Sequence, residues 1–89
     1  GAGEAGRSLL TAAQINNLKV ECFVDRKETL WGKQVESKMV YSLPEALRKF
    51  RSTPIVIGSF HFLRQIQQAI ERTCMELSLE TEYFSINDL

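Results

Sequence analysis

Apolar and polar residues follow two rhythms along this chain, and the switches between them mark its elements. From Arg7 to Asn17, Leu9, Leu10, Ala12 and Ala13 sit among good helix formers, which predicts a helix. Asn16-Asn17 predicts its stop, because asparagine tolerates the left-handed geometry of a helix end. Leu18 to Val24 alternates at period two and then turns wholly apolar, a strand ending at Asp25. Arg26 to Ser37 has no helical period and contains Gly32, so a loop is expected, with Trp31 and Val35 as its anchors to the core. Met39-Val40-Tyr41 reads as a short strand near a sheet edge, and such an edge is a candidate for pairing with a second copy in a homo-oligomer. Ser42-Leu43-Pro44-Glu45 is a helix start: the hydroxyl caps an amide, Glu45 reaches back, and proline lacks a donor that the first turn would leave unpaired. A helix from Leu43 to about Phe50 follows. Pro54-Ile55-Val56-Ile57, closed by Gly58-Ser59, suits a central parallel strand covered by helices on both faces. A long helix is expected from about His61 to Met75, with Leu63, Ile66, Ile70 and Cys74 on one stripe. Glu80 to Phe84 is a weaker strand, after which Ser85 to Leu89 trails away.

Strands alternating with helices predict an α/β fold with a mostly parallel sheet. Eighty-nine residues, 44% hydrophobic and 25% charged, allow one small domain spanning 1–89. No run approaches the ~20 apolar residues of a membrane span, and no signal peptide is visible. Eleven basic residues balance eleven acidic ones, which argues against a general nucleic-acid binder. That balance hides a mildly basic stretch from Arg26 to Arg64 and an acidic one from Glu71 onward. Cys22 and Cys74 lie inside apolar periodic stretches and read as reduced core residues of a cytoplasmic protein, with a disulfide as the lesser alternative.

The densest chemical signal is Gly1-x-Gly3-x-x-Gly6, followed by a helix and then by a strand ending in Asp25. In a dinucleotide fold the first glycine permits the tight turn, the second lets amides approach a pyrophosphate, and the third lets the helix pack closely on the sheet. The phosphate then meets the positive end of the helix dipole. An acid about 20 residues further on accepts the ribose hydroxyls, and Asp25 stands nineteen after Gly6. The alternative is that the glycines only shape a turn in a domain that binds nothing. The apolar strand expected before Gly1 is absent from the sequence, so the chain reads as a fragment of its fold without the first strand.

These residues carry a family likeness. Gly1-Ala2-Gly3-Glu4-Ala5-Gly6-Arg7, Phe23-Val24-Asp25, Leu30-Trp31-Gly32-Lys33, Val40 through Leu47 and Ile55-Val56-Ile57 follow a familiar order. The chain resembles the Rossmann-like, CoA-binding-type domain of bacterial nucleoside-diphosphate-sugar epimerase and dehydratase proteins of polysaccharide biosynthesis. The resemblance implies a three-layer Rossmann-like fold that binds NAD(P) or a sugar nucleotide, with a CoA-type ligand as an alternative. It also implies that Gly1, Gly3, Glu4, Ala5 and Gly6 form the phosphate turn and that Asp25 meets the ribose. Gly58 and Ser59 would lie on the neighbouring strand-to-helix loop, a placement that also follows from ligands gathering at the carboxyl ends of parallel strands. Ser59 could equally cap the long helix. Where the family often has a second acid after Asp25, this chain has Arg26, which could accommodate a 2′-phosphate.

Reactive groups do not assemble. Sugar-nucleotide enzymes of the short-chain dehydrogenase kind need Tyr-x-x-x-Lys, but Tyr41 is followed four residues on by Glu45 and Tyr83 by Asn87. His61, the single imidazole, stands at a helix start and reads as a surface residue without catalytic duty, with a hydrogen-bond donor lining the cleft as the alternative. One His and two distant Cys offer no metal-ligand spacing. Trp31 beside Gly32 is either a stacking surface for adenine or a loop anchor. The expectation is a nucleotide-binding segment whose catalytic residues, if it belongs to an NAD-dependent epimerase or dehydratase, lie elsewhere; a non-catalytic regulatory or interaction domain is the rival.

Overall fold

The N-terminal helix begins earlier than its apolar pattern, because glycine and alanine leave no apolar signal in its first turn. A computed structural model describes residues 2–59 and 61–85. Among them are three α-helices, α1 (Glu4–Ile15), α2 (Leu43–Lys49) and α3 (Leu63–Leu77). Five short strands accompany them: β1 (Phe23–Val24), β2 (Gln34–Val35), β3 (Lys38–Tyr41), β4 (Ile55–Ile57) and β5 (Tyr83–Ser85). The protein is thus α/β, with mixed sheets of two and three strands. It divides into two units, Gly1–Ser42 and Leu43–Leu89.

In the first unit β1 runs parallel to β3, with Phe23 opposite Val40 and Val24 opposite Tyr41. β2 joins β3 antiparallel through the two-residue turn Glu36-Ser37, where both residues take positive φ, 50° and 64°. That is the mirror-image hairpin geometry that matches strand twist, and it usually selects Asn-Gly. β3 therefore lies between two neighbours, in the order β1-β3-β2. β3 is the middle strand rather than one near an edge, because the loop predicted over Arg26 to Ser37 supplies β2, which covers that side. The strand predicted from Leu18 is laddered only over Phe23–Val24, because β3 has just four residues to offer. Ala2, Leu10, Phe23 and Val40 form the buried cluster, with Val20, Leu30 and Val35 packed around it.

In the second unit α2 begins at Leu43 and its last turn is closed by the Phe50 amide donating to the Ala46 carbonyl at 2.9 Å, close to the predicted bounds. Its Ala46 and Leu47 are buried, as are Ile57 of β4 and Ile70 of α3. The predicted α3 stripe turns inward, with Ile70 buried and Leu63, Ile66 and Cys74 half-buried. β4 and β5 are parallel, with Ile55 opposite Tyr83 and Ile57 opposite Ser85. The Tyr83 hydroxyl donates to Glu71 Oε1, tying β5 to α3. Among the described residues β4 has this one strand neighbour, and Val56 and its partner Phe84 remain 40% and 39% exposed. Among the described residues β4 is therefore an edge strand with Val56 partly open, where a central strand covered on both faces was expected. Three apolar residues in a row look alike whether one face is buried or two.

Candidate functional site

Gly3 caps α1 in extended conformation (φ −78°, ψ −165°) and receives no side-chain cap, so the first-turn amides have no partner within the helix. The first intrahelical bond runs from the Arg7 amide to the Gly3 carbonyl at 2.9 Å. A Cβ built on Gly3 would meet nothing within 4 Å, so neither space nor backbone angle requires glycine there. Glu4 is exposed in the first turn, where its carboxylate suits the helix dipole but would repel a phosphate, leaving its amide as the useful group. The Ala5 backbone is helical. Gly6 is half-buried on the face that carries Leu10 and Ala13 inward. Gly1 lies outside the described residues.

Asp25 follows the carboxyl end of β1, and its backbone extends the ladder by donating to the Tyr41 carbonyl at 3.1 Å. Its Oδ2 accepts the Ala2 amide at 2.9 Å, and its Oδ1 accepts the Lys27 amide at 2.9 Å. The acid and the glycine turn, 23 residues apart in sequence, are thereby joined directly. Partial burial pushes this carboxyl's pKa up, but the amides of Ala2 and Lys27, then the amino-terminal charge and the Arg26 amide, outweigh it and hold it below the ordinary carboxylate value.

Trp31 is 38% exposed and so is not the core anchor that was one reading of it. It is anchored by polarity instead, its Nε1 donating to the Asp25 carbonyl at 2.7 Å. The loop behind it closes on β3: the Gly32 amide donates to the Val40 carbonyl and the Val40 amide to the Lys33 carbonyl, both at 2.9 Å. Gly32 carries φ +78°, the left-handed conformation in which a side chain is strained.

Gly58 and Ser59 belong to the second unit and follow the carboxyl end of β4. Ser59 Oγ accepts the Phe62 amide at 3.2 Å in the turn ahead of α3, but Phe62 itself is the N-cap and the helix start receives no side-chain cap, so the expected capping by Ser59 is not what this bond does. His61 is exposed just ahead of that helix. The second unit's groove, about 550 Å³, lies at the opposite ends of its strands, between 51–54 and 80–82. Parallel sheets hold ligands at carboxyl ends, so this groove is not where Gly58 and Ser59 would act.

Sequence reasoning missed the amides of Ala2 and Lys27 and the indole bond, because each depends on tertiary approach. It also missed an open depression of about 260 Å³ on α1, lined by Glu4, Arg7, Ser8, Thr11 and Glu36. Its helical members recur at helix-face spacing, a polar stripe that was legible in principle. Arg7 and Glu36 face each other there at 3.9 Å, both well exposed. Cys22 and Cys74 are free and half-buried. Burial, with the Glu21 charge second, pushes the Cys22 thiol up to about 11, so it stays protonated and poorly nucleophilic at neutral pH.

Comparison of the chain with protein-family models, with curated proteins and with solved structures finds no match. Among the described residues no helix is long and apolar enough to cross a membrane.

Proposed function

We propose that this chain is a Rossmann-like nucleotide-binding segment that takes NAD(P) or a sugar nucleotide, with phosphate on the glycine turn and ribose on Asp25. The observation that carries the reading is the Ala2 amide on Asp25 Oδ2, which brings the acid beside the uncapped start of α1. A pyrophosphate needs unpaired amides at a helix start, and a ribose diol needs a carboxylate within a few ångströms of them. Gly58 and Ser59 remain candidates for a second loop of the same kind. The segment binds and orients; with no Tyr-x-x-x-Lys pair, reaction chemistry in sugar-nucleotide metabolism would come from other residues.

A second reading has its own observation. Both carboxylate oxygens of Asp25 already accept an amide, as they would in a domain that keeps the turn and holds no ligand. Calorimetry and thermal shift against NAD, NADP, CoA and a UDP-sugar separate the two. Binding is expected for at least one nucleotide, and Gly3→Ala is expected to weaken it roughly tenfold or more by placing a methyl where the phosphate approaches. The same substitution leaves the melting temperature near wild type, since the site has room and ordinary angles for alanine. No response to any of the four at millimolar concentration favours the ligand-free domain.

A further inference from the structure

Trp31 is the sole tryptophan of the chain, and more than a third of it is left in water. A large ring so exposed would normally turn freely, but this one is fixed at its polar edge by the bond from Nε1 to the Asp25 carbonyl. Its own amide donates to the Glu28 carbonyl at 3.1 Å, and the next residue, Gly32, is bonded to β3. Asp25 therefore holds two things at once: its carboxylate holds the glycine turn through Ala2, and its carbonyl holds the indole. Turn, acid and ring are linked in that order. A nucleotide presents phosphate, ribose and base in the same order.

We infer that Trp31 is the base-stacking platform of this site and that it favours adenine over uracil. The inference rests on the nucleotide reading given above. The base is joined to the ribose whose hydroxyls would meet Asp25, so it would lie one sugar's width from that carboxylate, and the indole is pinned to the backbone carbonyl of the same residue. Stacking needs only an aromatic face, and the larger bicyclic base covers more of it. Because the ring is already immobilised, little freedom is lost when the base arrives.

A single tryptophan makes the test direct, since intrinsic emission reports this ring alone. The full chain is titrated with ADP-ribose and with UDP-glucose, following fluorescence and binding heat together. ADP-ribose is expected to quench the emission and to bind roughly tenfold more tightly than UDP-glucose. Trp31→Ser is expected to weaken ADP-ribose by roughly ten- to a hundredfold, while Trp31→Phe, which keeps an aromatic face, restores most of the affinity. Thermal melting confirms that both variants fold. Heat without quenching, together with unchanged affinity in Trp31→Ser, overturns the stacking role and leaves the nucleotide reading standing. Tighter binding of UDP-glucose overturns the preference for adenine. Absence of heat with either ligand and with NAD overturns the nucleotide reading itself, and the platform with it.

Discussion

The Asp25 carboxylate is held by backbone amides, and this sets how it responds to pH. Its folded-state pKa is depressed below the ordinary carboxylate value of about 4. The folded protein therefore binds fewer protons at this group than the unfolded chain does near that pH. The stability it contributes is complete above about pH 4 and is lost as pH falls through the lower folded-state value. Asp25→Asn, which keeps one acceptor oxygen, is expected to lower stability at pH 7 by about 1 kcal/mol, a modest figure because the side chain is only partly buried. Urea unfolding at pH 7 and at pH 3 checks this: the gap between wild type and variant should narrow at the acid pH. A gap of equal size at both would show that the ionised carboxylate is not what Ala2 and Lys27 require. The position of Asp25 was legible, because a strand must end where alternation gives way to charge. Its engagement was not, since the partner amide comes from residue 2 and depends on how α1 is brought to β1.

Helix ends show where local chemistry speaks clearly and where it is silent. α1 stops through Asn17 at φ 59°, with the Leu18 amide on the Ala13 carbonyl at 2.8 Å and the Asn17 amide on Gln14 at 3.1 Å. This is the paired closure that asparagine or glycine favours, and the sequence announced it. α3 closes in the same way through Ser78 at φ 54°, with the Leu79 amide on Cys74 at 2.9 Å and the Ser78 amide on Met75 at 3.3 Å. Serine sends no such signal, so this end was not legible. Ser78→Gly relieves the left-handed penalty and is expected to raise stability by about 1 kcal/mol, read as a higher denaturant midpoint with an unchanged slope. A lower midpoint would mean that the serine side chain contributes more than its backbone costs. The hairpin turn Glu36-Ser37 hid for the same reason: two positive-φ residues without asparagine or glycine concealed β2 inside an apparent loop.

At the scale of the molecule, alternation of strand and helix was enough to identify an α/β chain with parallel pairing, and both β1-β3 and β4-β5 are parallel. Pattern alone could not assign strands to separate sheets, because neighbours are chosen by tertiary contact while the alternation is local. That parallel pairing also dictates an order of events. Tyr83 must find Ile55 across twenty-eight positions, and closing such a loop in a flexible chain costs about 3 kcal/mol before any ladder bond forms. An α3 already helical shortens the search, so the β4-β5 ladder should close after the folding barrier and α3 packing before it. Ile70→Ala, in the α3 core, is then expected to slow refolding, whereas Tyr83→Phe should mainly hasten unfolding in stopped-flow chevrons. Slower refolding in Tyr83→Phe, in proportion to its lost stability, would reverse that order. If the order holds, β5 is also the first strand to let go, and the second unit comes apart from its last-added element.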